Sequence, residues 1–90
     1  MNQTLTPAEK ATLTGITLEV SALSNNRKHL TEVLAHKRGL VNDPETSDDE
    51  RAHYERSLAT TEAAIVDTEA RLADWTDLGE RLAKFFGQDR

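Results

Sequence analysis

At 90 residues the chain holds one domain at most, near the size at which a folded monomer buries only a modest share of its surface. It is 37% hydrophobic, 30% charged and 4% aromatic, which suits exposed helices with narrow apolar stripes and argues against a thick core walling a catalytic cleft. A net charge of -5 argues against a general binder of phosphate backbones, and the absence of cysteine excludes disulfides and thiolate zinc sites.

Met1 to Lys10 offers neither the basic start nor the apolar run of a signal peptide, and no stretch approaches the roughly 18 to 20 apolar residues of a membrane span. A cytoplasmic protein without membrane partners is expected, in the host cytoplasm if the source is viral. Thr6, Pro7, Ala8 and Glu9 read as a helix start: a hydroxyl cap, a proline where its missing N–H costs nothing, and a glutamate placed to close a capping box. From Pro7, apolar residues recur at Leu13, Ile16, Val20, Leu23, Leu30, Leu34 and Val41, alternating by three and four with Arg27 and Lys37 at the missing places. Lys37 and Arg38 suit the carbonyl end of a helix, and Gly39 suits a left-handed stop. The first helix is therefore expected over about 7–38.

Asn42, Asp43 and Pro44 favour a turn, so the bend is expected over 39–46. Ser47, Asp48, Asp49 and Glu50 then repeat the capping signature, with three carboxylates in the positive first turn of a second helix over about 47–86. Its stripe is Tyr54, Leu58, Thr61, Ile65, Thr68, Leu72, Trp75, Gly79, Leu82 and Phe86. The fold expected is all-α: one domain over 1–90, a two-helix antiparallel coiled-coil hairpin assembled into a helical-bundle oligomer. Symmetry about residue 44 predicts that facing residue numbers total about 88, which pairs Leu34 with Tyr54, Leu23 with Ile65, Ile16 with Leu72 and Leu13 with Trp75. Arg27 would then lie opposite Thr61, with Glu62 as its companion.

Two helices joined along one seam leave little buried, so a second face against another copy or a partner is expected. Its candidates are Leu18 and Ala22 on the side of the first helix away from the seam, and Trp75, Leu78, Phe85 and Phe86 near the end of the second. Arg27, Lys28, Lys37 and Arg38 form a candidate anion-binding set for a nucleotide or nucleic acid, although simple electrostatic matching to the acidic bend explains them as well. His29, Glu32 and His36 share one side of the helix, with His53 close across the hairpin, yet neither an HExxH pattern nor a cysteine supports a metal, and none is expected. The acidic bend lacks the glycine and the ligand alternation of a calcium loop. Ser21, Ser24, Ser47 and Ser57 lie in helices or caps with no elbow to present a nucleophile, so no catalytic residue and no cofactor is expected. The function expected is a non-enzymatic, homo-oligomeric protein-interaction module, acting as a small bacterial or viral regulator or inhibitor of another macromolecule. The alternative is an oligomeric binder of a nucleotide or nucleic acid.

Overall fold

The computed structural model describes residues 4–88, which form two helices, α1 (Pro7–Asn42) and α2 (Asp48–Gln88), folded into an antiparallel hairpin. The result is a rod of 68 × 16 × 14 Å. α1 opens with the expected capping box: the Glu9 amide donates to Thr6 Oγ1 at 3.1 Å and the Thr6 amide donates to Glu9 Oε1 at 2.9 Å. α2 opens at Ser47, whose Oγ accepts from the Glu50 amide at 3.2 Å and donates to the Glu50 carboxylate at 2.9 Å.

Gly39 does not stop α1. Its φ is not positive, and the helix runs on to Asn42, four residues past the expected end. Leu40 and Val41 are half-buried, so the extra turn shields apolar surface, and the chain leaves the helix only where Pro44 forbids the helical conformation at Asp43. The bend at 43–47 is closed locally. The Asp43 amide donates to the Leu40 carbonyl, Thr46 Oγ1 donates to the same oxygen at 2.7 Å, and the Glu45 amide donates to the Asp43 carboxylate at 3.0 Å.

Arg51 completes the bend. From the first turn of α2 its guanidinium donates to the carbonyls of Val41 at 3.0 Å, Thr46 at 3.1 Å and Asp43 at 3.3 Å, and pairs with Asp48 at 3.2 Å. These carbonyls belong to the end of α1 and to the turn, where helical partners have run out. The match to the acidic bend expected of Arg27, Lys28, Lys37 and Arg38 is made instead by this one arginine, through Asp48.

The two stripes face each other along the rod. Ile16, Leu23, Leu34, Thr61 and Thr68 are buried, the other apolar members are half-buried, and Trp75 is open at its edge. The two threonines satisfy their hydroxyls inside α2 by donating to the carbonyls of Ser57 and Ala64 at 3.0 and 2.8 Å.

The register differs from the symmetric expectation. Asn26 donates to Thr68 across the seam at 3.4 Å, and Ile16 lies so close to Gly79 that a Cβ there would fall 3.0 Å from Ile16 Cγ2. Facing residue numbers thus total 94 to 95, about one heptad beyond 88. Ile16 is level with Gly79 and not Leu72, and by the same register Leu23 is level with Leu72, Leu34 with Thr61 and Leu13 with Leu82. Thr61 accepts from Lys37 Nζ at 2.8 Å, Glu62 pairs with Arg38 at 3.7 Å, and Arg27 is exposed. Lys37, and not Arg27, therefore reaches into the seam, its long stem half-buried while its ammonium finds a hydroxyl.

Candidate interaction surfaces

The heptad positions divide the rod into two long sides. Arg38 and Glu62 each follow a seam residue, Lys37 and Thr61, and they meet across the hairpin. Thr17, Thr76 and Ala83 also follow seam residues, so they lie on this same side, and with Ile16, Val20 and Gly79 they line an open groove of about 300 Å³. Gly79 forms part of the groove wall and contributes no side chain to fill it, and a Cβ there would fall 3.0 Å from Ile16 Cγ2. Val66, four residues after Glu62, is on this side too and is 68% exposed.

Leu78 and Phe85 each precede a seam residue and so lie on the opposite side. Phe85 is 61% exposed, Leu78 and Trp75 are each open by about a third, and Phe86 is half-buried. The Phe85 and Phe86 rings meet edge to face with centroids 6.1 Å apart. Leu18 and Ala22 are exposed on α1, Leu18 pointing away from α2. The six candidate interface residues are thus split between the outer face of α1 and the open end of α2.

The four candidate anion-binding residues do not act together. Lys37 is engaged with Thr61 and Arg38 with Glu62, whereas Arg27 and Lys28 are exposed and have no ion pair among the described residues. No group of three His or carboxylate side chains is placed to hold a metal among the described residues, and His53 instead packs edge-on against Tyr54 at 5.7 Å. Among those residues no helix is long and apolar enough to cross a membrane.

Sequence reasoning missed Val66, the groove beside Gly79 and the bend contacts of Arg51. Val66 carried a signal of the kind that singled out Leu18, a branched apolar residue off the stripe. The other two depend on the register and on the path of the bend, which periodicity does not encode. No protein family, curated protein or solved structure matches the chain.

Proposed function

We propose that the chain is a non-enzymatic helical-hairpin interaction module that self-associates and binds another macromolecule as a small regulator or inhibitor. The setting proposed is the cytoplasm of a bacterium, or of the host if the source is viral. The observation that carries the reading is how little the hairpin encloses. Five of the described residues are buried, and Leu18, Val66, Trp75, Leu78 and Phe85 remain open to solvent. Single exposed apolar residues are ordinary, but aromatic and leucine side chains grouped at the end of a rod are anchors of the kind that interfaces use.

Light scattering at micromolar concentration tests self-association, with a mass above one chain of 10.0 kDa expected. Quantitative capture with wild type and with Phe85→Glu tests partner binding: a macromolecule held by the first and released by the second supports the reading. A clean monomer that retains no protein specifically removes it.

A second reading, favoured by Arg27 and Lys28, which are exposed and have no ion pair among the described residues, is a nucleotide or nucleic-acid binder in which several copies converge these cations on one anion. A thermal shift with nucleotides, or salt-dependent DNA binding, that disappears in Arg27→Ala supports it, and no response in either assay removes it.

A further inference from the structure

We infer that a second copy of this chain covers the side of the rod that carries the Gly79 groove and Val66. The two hairpins run parallel, bends at the same end, so that α1 of each rests on α2 of the other. This rests on the self-association proposed above and adds to it the face and the arrangement.

The first argument is area. A compact monomer of this mass exposes ~5,200 Å² by the usual scaling of surface with size. The hairpin exposes 6597 Å², an excess on the order of 1,400 Å². A stable dimer of ordinary size removes about 800 Å² from each partner, so covering one long side of the rod would remove more than half of the excess.

The second argument is local shape. On the groove side small residues flank the seam at Thr17, Ser21 and Ala35 on α1 and at Ala59, Ala73 and Ala83 on α2, interspersed with the charged Lys28, Arg38, Glu55, Glu62, Glu69 and Glu80. Helices approach closely over such a surface, and Val66 projects from its middle as the one large apolar side chain left open there. The opposite side presents Leu78 and Phe85 only near one end, which suits a local anchor better than contact along the whole rod.

The third argument is charge, and it selects the arrangement. α1 nets two positive charges, with Lys10, Arg27, Lys28, Lys37 and Arg38 against Glu9, Glu19 and Glu32. α2 carries ten carboxylates against five bases and nets five negative charges. Two hairpins can stack on this side with α1 over α1 or with α1 over α2. The first sets the acidic helices against each other, whereas the second alternates positive and negative helices around the bundle.

A twofold axis along the rod gives the second arrangement and preserves the level of every residue. Since facing numbers total about 95, Lys28 of one copy comes level with residue 67 of the other, beside Glu69. Arg38 comes level with residue 57, between Glu55 and Glu62. Among the described residues Lys28 has no ion pair and Arg38 has a single one at 3.7 Å, so both can reach across. In the same register Ser21 meets Ala73 and Ala35 meets Ala59, small residue on small residue, and the layer between them sets Val66 against the aliphatic stem of Lys28.

The test uses the absence of cysteine from the chain. Ser21→Cys and Ala73→Cys are made as separate proteins, mixed in equal amounts and mildly oxidised. A disulfide joining the two different variants is the expected product, in several-fold excess over either variant joined to itself. Dominant linkage of each variant to its own kind, or none in a mixture that light scattering shows to be associated, overturns the arrangement.

In parallel, Val66→Glu is expected to reduce the wild-type mass from about twice 10.0 kDa to that of one chain, with its helical circular dichroism retained. If the wild type associates and Val66→Glu still does so while Phe85→Glu does not, the face is wrong and self-association stands. If the wild type remains a single chain at several hundred micromolar, this inference and the self-association beneath it both fall.

Discussion

Replacing Arg51 by alanine should loosen the bend more than any other surface substitution in the chain. Its guanidinium serves three carbonyls, of which Val41 at 3.0 Å and Thr46 at 3.1 Å are the better bonded, and its side chain is 32% exposed. A hydrogen bond from a charged donor is worth about 1.5 to 3 kcal/mol when shielded, and partial access of water reduces each of these to about 1 kcal/mol. The pair with Asp48, whose side chain is fully exposed, adds nothing that needs counting. The loss is therefore about 2 kcal/mol, which for a chain of this size lowers Tm by roughly 8 to 16 °C. Lysine presents a compact ammonium with no planar fork, so Arg51→Lys should recover about half of that loss. Thermal and urea unfolding followed by circular dichroism, at one fixed protein concentration because association shifts the midpoint, measures both. A loss below about 0.5 kcal/mol, or full recovery with lysine, would mean that water satisfies these carbonyls as well as the arginine does, and the role assigned to Arg51 would be wrong.

The glycines should separate by position. A Cβ at Gly39 or Gly15 meets nothing within 4 Å, so alanine at either should stabilise its helix by about 0.5 to 1 kcal/mol, whereas Gly79→Ala sets its Cβ against Ile16 and should give a net loss of about 1 kcal/mol in the same urea titration. Ser47→Ala removes the cap of α2 and should cost about 1 kcal/mol, with the increase in amide exchange concentrated in the first turn of α2. Replacing Lys37 by leucine together with Thr61 by valine should raise stability by about 1 to 2 kcal/mol, since it exchanges a polar contact in the seam for apolar packing; a loss in urea unfolding would show that the ammonium contact is worth more than its burial costs. The register itself is tested by paired cysteines: Leu23→Cys with Leu72→Cys should close a disulfide readily, and Leu23→Cys with Ile65→Cys should not, because one heptad displaces the partner by ~10 Å along the rod, beyond the ~7 Å that a disulfide spans.

Much of the hairpin was legible in the chain because its signals are local. The capping box of α1 and the Ser47 cap of α2 act within four residues, and the alternation by three and four is a property of each helix taken alone. The end of α1 was read less well. Gly39 is a good stop only if the left-handed conformation gains something, and here continued helix keeps Leu40 and Val41 against the bend while Pro44 sets a firmer limit. The candidate sites were legible as residue types and not as arrangements. Arg27, Lys28, Lys37 and Arg38 look like one basic run, yet Lys37 and Arg38 are drawn to Thr61 and Glu62, whose proximity follows from the way the two helices are aligned.

That alignment is the one global quantity in a hairpin of this kind, and periodicity is blind to it. Sliding one helix past the other by seven residues returns every stripe residue to the seam, so hydrophobic pattern alone gives the two registers equal standing. Side-chain size at Gly79 and Thr61 separates them, although Leu23 on Leu72 and Leu13 on Leu82 remain large on large. A total of 88 would stack large on large, Leu34 on Tyr54 and Leu13 on Trp75, while leaving Gly79 level with the first turn of α1. A total near 95 puts Ile16 against Gly79, where there is room for it, and sets Leu34 against Thr61, and these large residues on α1 are buried together with the small one on α2. The same choice creates the outer surface. With Gly79 spent on accepting Ile16, the space beside it opens as the groove, and Lys28 and Arg38 come level with the stretch of α2 that holds Glu55, Glu62 and Glu69. A hairpin in the other register would set Gly79 level with Glu9 and Arg38 level with Glu50, so the outer surface is a consequence of how the two helices sort their large and small side chains.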